Sequence, residues 1–169
     1  GDGAIFALRK ELFEPLLDDD LSDFITPLRI VVRGFRGVFQ PSATCSEETA
    51  QDYAGEYRRK VRIVNRAFRA VLRVPLALNP IKVGVFAFQL MFHKVIRWFV
   101  PYLMILCFVS SLALVIIDSH WVYVLALACQ CLGYLLAWLF ARNRELRVPL
   151  ASICYYFCLG NLAALQGTL

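Results

Sequence analysis

Residues Trp98 to Ile117 read WFVPYLMILCFVSSLALVII, twenty residues without one charged side chain. Wound as a helix at 1.5 Å per residue they extend about 30 Å, the thickness of a bilayer's hydrocarbon core. Two further uncharged stretches follow, Ser119–Ala141 of 23 residues and Val148–Leu169 of 22. The last is the most polar, with Pro149, Gly160, Asn161 and Gln166 inside it. The pattern predicts two to three transmembrane helices, at about 99–117, 120–141 and 148–167. The link Asp118-Ser119-His120 carries no Lys or Arg, whereas Arg142-Asn143-Arg144-Glu145-Leu146-Arg147 is basic. By the positive-inside rule the basic link is cytoplasmic, and two crossings then put residues 1–98 in the cytoplasm as well. An integral membrane protein is expected.

Working back toward the start, the composition changes. Residues 1–98 hold 15 Lys/Arg and 11 Asp/Glu, leaving only Asp118, Arg142, Arg144, Glu145 and Arg147 charged beyond them. The net charge of +5 therefore belongs almost wholly to the water-facing part. A basic surface beside a membrane suits anionic lipid or nucleotide phosphates. Basic and aromatic residues do not interleave as on a nucleic-acid platform, so nucleic acid is not expected as a partner. Five of the six cysteines (Cys107, Cys129, Cys131, Cys154, Cys158) lie in apolar runs, where Cys acts as a small hydrophobe. Neither Cys129-x-Cys131 nor Cys154-x3-Cys158 has the partners of a zinc site, and no metal ligands are expected in the chain.

Ile81 to Trp98 places Lys82, Gln89, His93 and Arg97 on one face and apolar residues on the rest, which predicts an amphipathic interfacial helix over 81–98. Leu78-Asn79-Pro80 breaks the chain before it. Upstream, Thr44-Cys45-Ser46-Glu47 has the form of a capping box, and the helix it opens should run to about Val74. On that helix Arg58, Arg62, Arg66, Arg69 and Arg73 fall within an arc of about 80°, with Arg59 beside them and Tyr57, Val61, Val64, Phe68, Val71 and Leu72 opposite. Such a face can rest on anionic headgroups or bind a phosphate-bearing ligand, for which the guanidinium fork is well shaped. Both readings stand at this point.

Asp18-Asp19-Asp20-Leu21-Ser22-Asp23 puts four carboxylates in six residues. Thr26 is a natural N-cap with Pro27 after it, Leu28, Val31 and Val32 supply an apolar face, and Gly34 is a good stop. Asp23 then sits at a helix entry, where the macrodipole favours a carboxylate. For an isolated Asp the ordinary role is a cap or a solvated acid. Gly3-Ala4-Ile5-Phe6-Ala7-Leu8-Arg9-Lys10 and Gly37-Val38-Phe39-Gln40-Pro41 suit short strands, the first of which period alone does not separate from a helix. Gly3 would admit a close ligand or backbone, or simply belong to a core strand. The chain starts at Gly1 without an initiator Met or signal peptide and stops at Leu169 just after an apolar run, which predicts an internal piece of a larger membrane protein.

The order of these parts resembles the C-terminal part of the membrane-integrated family 2 glycosyltransferases, the group of cellulose, hyaluronan and poly-N-acetylglucosamine synthases. Gly3 to Lys10 is similar to the family's glycine segment near the acceptor sugar. Ser22-Asp23-Phe24 with Pro27-Leu28-Arg29-Ile30 and Gly34 resembles the acidic motif whose second acid is the base, and Pro41-x-Ala43-x3-Glu47 the segment after it. Arg59-Lys60-Val61-Arg62-Ile63 stands where the Q-x-x-R-W motif would, and His93-Lys94-Val95-Ile96-Arg97-Trp98 resembles the helix leading into the spans.

The resemblance implies the end of a GT-A type α/β catalytic domain at 1–80, the interfacial helix at 81–98 and the transmembrane region at 99–169. It implies an inverting hexosyltransferase in a bacterial inner or plasma membrane, with Asp23 as general base, Arg62 and Arg59 on the donor diphosphate, and Gly3, Ala4 and Ile63 near the acceptor. Its partners would be a nucleotide sugar such as a UDP-sugar, a glycan acceptor and membrane lipid. It also implies a divalent cofactor, Mg or Mn, with ligands outside this sequence, so that residues 1–169 alone would be inactive. Departures are Arg59 for Gln, Ile63 for Trp and Ser22 for an acid, and the second leaves processivity open. The alternatives are a non-processive transferase to a lipid or short acceptor, or a non-enzymatic membrane subunit whose basic helix binds lipid or a partner.

Overall fold

A computed structural model describes residues 5–46, 53–118, 120–143 and 148–169. Every regular element among them is a helix. In chain order they are a 3₁₀ turn at Lys10–Leu12, α1 at Ser22–Val32, α2 at Tyr53–Arg73, a 3₁₀ turn at Pro75–Leu78, α3 at Pro80–Val83, α4 at Val85–Leu90, a π-helical turn at Met91–Val95, α5 at Ile96–Ile117, α6 at Trp121–Arg142 and α7 at Pro149–Thr168. The chain divides into two compact units, residues 1–97 with 167–169, and residues 98–166.

Three helices are long and apolar enough to cross a membrane. Helical residues run from Val85 to Ile117, 33 in all, followed by the 22 of α6 and the 20 of α7. The expected starts at 120 and 148 and ends near 117, 141 and 167 agree with these bounds to within two residues. At the first span the helix begins fourteen residues earlier than expected, because the π turn carries the chain onward without a break. Within residues 98–166 many large side chains point away from protein: Leu103, Ile105, Leu106, Val109, Leu125 and Leu132 are all more than half exposed. Such a surface is stable in lipid and not in water. The buried positions are mostly small, Ala137, Ala151, Ala163 and Ala164, as close approach of helices in lipid requires. Aromatic pairs link neighbours, Phe108 with Tyr134 at 6.1 Å and Phe140 with Tyr155 at 5.5 Å between ring centres. Polar side chains answer to their own helices: Ser110 Oγ donates to the Leu106 carbonyl at 2.7 Å and Asn161 Nδ2 to that of Phe157 at 2.9 Å.

The other unit is built on α1, α2 and the short helices after α2. Its core is narrow, with Ile25, Leu28, Ala67, Ala70, Val71, Ala77, Ala87 and Leu90 buried. Gly34 ends α1 as expected: with φ at 87° it lets the Gly34 N–H reach the Val31 carbonyl at 2.9 Å and the Phe35 N–H that of Ile30 at 3.2 Å. The start differs. The helix opens at Ser22, with the N–H groups of Phe24 and Ile25 both on the Leu21 carbonyl, so Thr26 is not a cap and Pro27 is the sixth residue of the helix. Its missing N–H leaves the Asp23 carbonyl without its usual partner. Burial of Ile25 and Leu28 offsets that loss.

Neither expected strand is found. Residues 5–9 are irregular with Ile5 61% exposed, and 37–40 are irregular with Val38 89% and Phe39 81% exposed. A strand exists only through a ladder partner, and the described residues provide none. Gly3 and Ala4 lie outside the described residues, as do Glu47 of the expected capping box and the Arg144–Arg147 part of the basic link. The long basic helix ends at Arg73, one residue from the expected Val74.

Gly167 meets α2 so closely that a Cβ would fall 2.7 Å from Val64 Cβ and 2.9 Å from the Val61 carbonyl, while Asn65 Nδ2 donates to the Gly167 carbonyl at 3.0 Å. Gly167→Ala should therefore lower stability by about 1–3 kcal/mol, as overpacking does. Thermal unfolding in detergent reads it; an unchanged midpoint would contradict this contact.

Candidate functional site

Three acids, Asp18, Asp19 and Asp20, precede α1 and a fourth, Asp23, lies in its first turn, and the structure treats them unequally. Leu16 and Leu17 lead into a tight turn in which the Asp20 N–H bonds the Leu17 carbonyl at 2.9 Å. Asp20 Oδ2 in return accepts the Leu17 N–H at 2.9 Å. The Asp20 side chain has no exposed surface. Its oxygens face two guanidinium groups, Nη1 of Arg73 at the end of α2 and Nη2 of Arg29 on α1 at 3.7 Å. Arg73 also donates through Nη2 to Asp19 Oδ2 at 2.7 Å, and Arg69 reaches the same oxygen at 3.4 Å. Arg29 continues outward to the Pro15 carbonyl at 3.2 Å and to Glu14 at 3.5 Å.

A buried carboxylate is tolerable because each oxygen has a charged partner and one has an N–H too. Arginine suits the role, since one planar group can serve both Asp19 and Asp20. Arg69 and Arg73 lie in the last two turns of α2, where the helix dipole favours cations. The Arg73 hydrogen bond holds the Asp19 carboxyl below its usual range, and the pair raises Arg73 in turn. Asp19 and Asp20 are thus engaged by arginine, not left as the solvated acids that an isolated Asp ordinarily is. The sequence shows the acids and the arginines, but nothing in it pairs residues 53 positions apart.

Asp23 lies one turn on, in the first turn of α1, and is half-buried. The ring of the next residue, Phe24, has Lys94 Nζ over it at 5.9 Å. Lys94 belongs to the π turn, so its contact with α1 through Phe24 was not foreseen from spacing. Arg59 and Arg62 are exposed on the outer side of α2, and Ile63 is 38% exposed. Arg62 precedes Arg73 by three turns, about 16 Å along the axis, and Arg59 by about 21 Å. Among the described residues no hydrogen bond or ion pair joins either arginine to Asp23, or either to any carboxylate. Of the expected site, Asp23 follows Asp20 by three residues in the first turn of α1, and Arg59 and Arg62 lie on the turns of α2 before Arg69 and Arg73. The acceptor-side Gly3 and Ala4 are outside the described residues.

The acidic turn does not fit a divalent ion. Asp19 and Asp20 give their oxygens to Arg69, Arg73, Arg29 and the Leu17 N–H. Among the described residues no three His, Cys, Asp or Glu are arranged to hold a metal. No family model matches the chain, and no curated protein or solved structure does either.

Asp20→Ala should cost about 3 kcal/mol, the low end for breaking a buried pair because Arg73 is a third exposed. Glu14→Ala, whose pairs are 42–44% exposed at Arg33 and Glu14, should cost under about 1 kcal/mol. Denaturant unfolding that ranks the two equally would contradict the network. Asp19 has a depressed folded-state pKa, so its contribution is present above the unfolded value of about 3.9 and is lost as pH falls through the folded one. Asp19→Asn should therefore be less stable than wild type at neutral pH and converge with it in acid. A gap that stayed constant down to about pH 2 would refute the pairing.

Proposed function

We propose that this chain is part of a membrane-integrated, inverting family 2 glycosyltransferase of GT-A type, and that Asp23 is its general base. The observation that carries the reading is a half-buried carboxylate in the first turn of a helix pinned by the Asp20 network, in a chain that continues through a basic helix into spans. The motif order in the sequence supplies the reaction class.

The chemistry asks for little covalent work. The acceptor hydroxyl gives its proton to Asp23 as its oxygen attacks the anomeric carbon of the donor. The bond from that carbon to the diphosphate oxygen breaks, the nucleoside diphosphate leaves from the opposite face with the electron pair, and the configuration inverts. Asp23 then returns its proton to water. Arg62, with Arg59 second, would hold the phosphates through charge-assisted hydrogen bonds. A divalent ion, bound by ligands outside residues 1–169, would supply further charge on the diphosphate. The polar part would face the cytoplasm of a bacterial inner or plasma membrane, drawing on nucleotide sugars made there, and Ile63 would lie toward the acceptor.

A second reading is favoured by one observation. Arg58, Arg59 and Arg62 form an exposed row with no carboxylate partner among the described residues, which equally suits a non-enzymatic subunit resting on anionic lipid.

In the full-length protein Asp23→Asn should lower sugar transfer by at least about 100-fold with donor binding kept, since general-base catalysis contributes that much or more. Near wild-type turnover would end the assignment. Arg62→Ala should weaken product inhibition by the nucleoside diphosphate roughly tenfold, the loss of one charged hydrogen bond. Unchanged inhibition would assign Arg62 to the lipid-facing reading.

A further inference from the structure

Asp20 is three residues before Asp23, and the intervening Leu21 provides the carbonyl on which the first turn of α1 closes, at 2.9 and 2.8 Å. Whatever fixes Asp20 therefore fixes the entry of the helix that carries Asp23. Asp20 is held from three directions: by the Leu17 N–H within its own turn, by Arg29 two turns along α1, and by Arg73 on α2. Its side chain is wholly buried, while that of Asp19, held by the same Arg73, is 37% exposed. The Leu17 contact closes the turn, the Arg29 contact ties it to α1, and the Arg73 contact ties both to α2.

We propose that Asp20 and Arg73 are a positioning pair that aims Asp23 at the acceptor hydroxyl. This rests on the reading of Asp23 as the base. A displacement of about 1 Å at a reacting group can cost about 100-fold in rate, so the pair acts on the chemical step more than on binding. Asp19 shares the arginine without fixing the helix entry, and it serves as the internal control.

The test uses the full-length protein in membranes with Asp20→Asn, Arg73→Lys, Asp19→Asn and Asp23→Asn. Two readouts are taken: kcat and KM for the donor, and hydrogen exchange of the Ile25 and Leu28 amides of α1. Asp20→Asn keeps the shape and loses the charge. It should lower kcat at least tenfold with KM within twofold, and speed α1 exchange at least tenfold. Arg73→Lys keeps the charge and loses the fork, and should shift both readouts in the same sense by less. Asp19→Asn should leave kcat near wild type and speed α1 exchange by less than Asp20→Asn does. If Asp20→Asn does not fold, Arg73→Lys decides alone. Wild-type kcat with wild-type exchange in either variant overturns the proposal. So does a fall in activity carried by KM alone, or a loss of kcat with α1 exchange unchanged. The two claims fail separately: an active Asp23→Asn removes the base, whereas an inactive Asp23→Asn beside a fully active Asp20→Asn removes the positioning pair.

Discussion

The Asp20 carboxylate, with no exposed surface and an arginine from each of two helices, is the interaction on which the water-facing unit depends. A charge so placed costs several kcal/mol if left alone, so Arg29 and Arg73 must both stay near it. That demand sets the distance between α1 and the end of α2 more sharply than the narrow core of Ile25, Leu28, Ala67 and Ala70 does. It also divides the basic helix. Arg69 and Arg73 are committed to the acidic turn, leaving Arg58, Arg59 and Arg62 outward-facing and available to an anion. One helix thus serves as a brace at its end and as an open cationic surface along its earlier turns.

The second unit obeys a different solvent. Its helices expose leucine, isoleucine and valine freely, and alanine holds several of the buried positions, unlike a soluble core. Three of its polar side chains, Ser110, Ser152 and Asn161, return their hydrogen bonds to carbonyls of the same helix. Aromatic pairs such as Phe140 with Tyr155 link these helices, and the third is comparatively polar yet a continuous helix.

The three long apolar helices were legible in the sequence because charge absence over twenty residues is a one-dimensional signal, and a helix is a local structure. The Gly34 stop and the end of α2 near residue 74 were legible for the same reason. The strands expected at 3–10 and 37–41 were not met, because strand formation depends on a partner that local pattern does not reveal. Pro27 misled the start of α1: its preference for a first turn lost to the turn at Leu17–Asp20, which opens the helix at Ser22. Asp23 at the helix entry was legible. The engagement of Asp20 with Arg73 and of Phe24 with Lys94 was not, since both pair residues more than fifty positions apart.

The central claim is sugar transfer, and the most direct measurement is to incubate membranes bearing the full-length protein with labelled nucleotide sugars and to size the labelled product. The account predicts a glycan or glycolipid that forms from at least one UDP-sugar and is missing from membranes without the protein. Absence of transfer from every nucleotide sugar tried, by folded protein in its membrane, would contradict it and leave the basic helix as a lipid- or partner-binding surface.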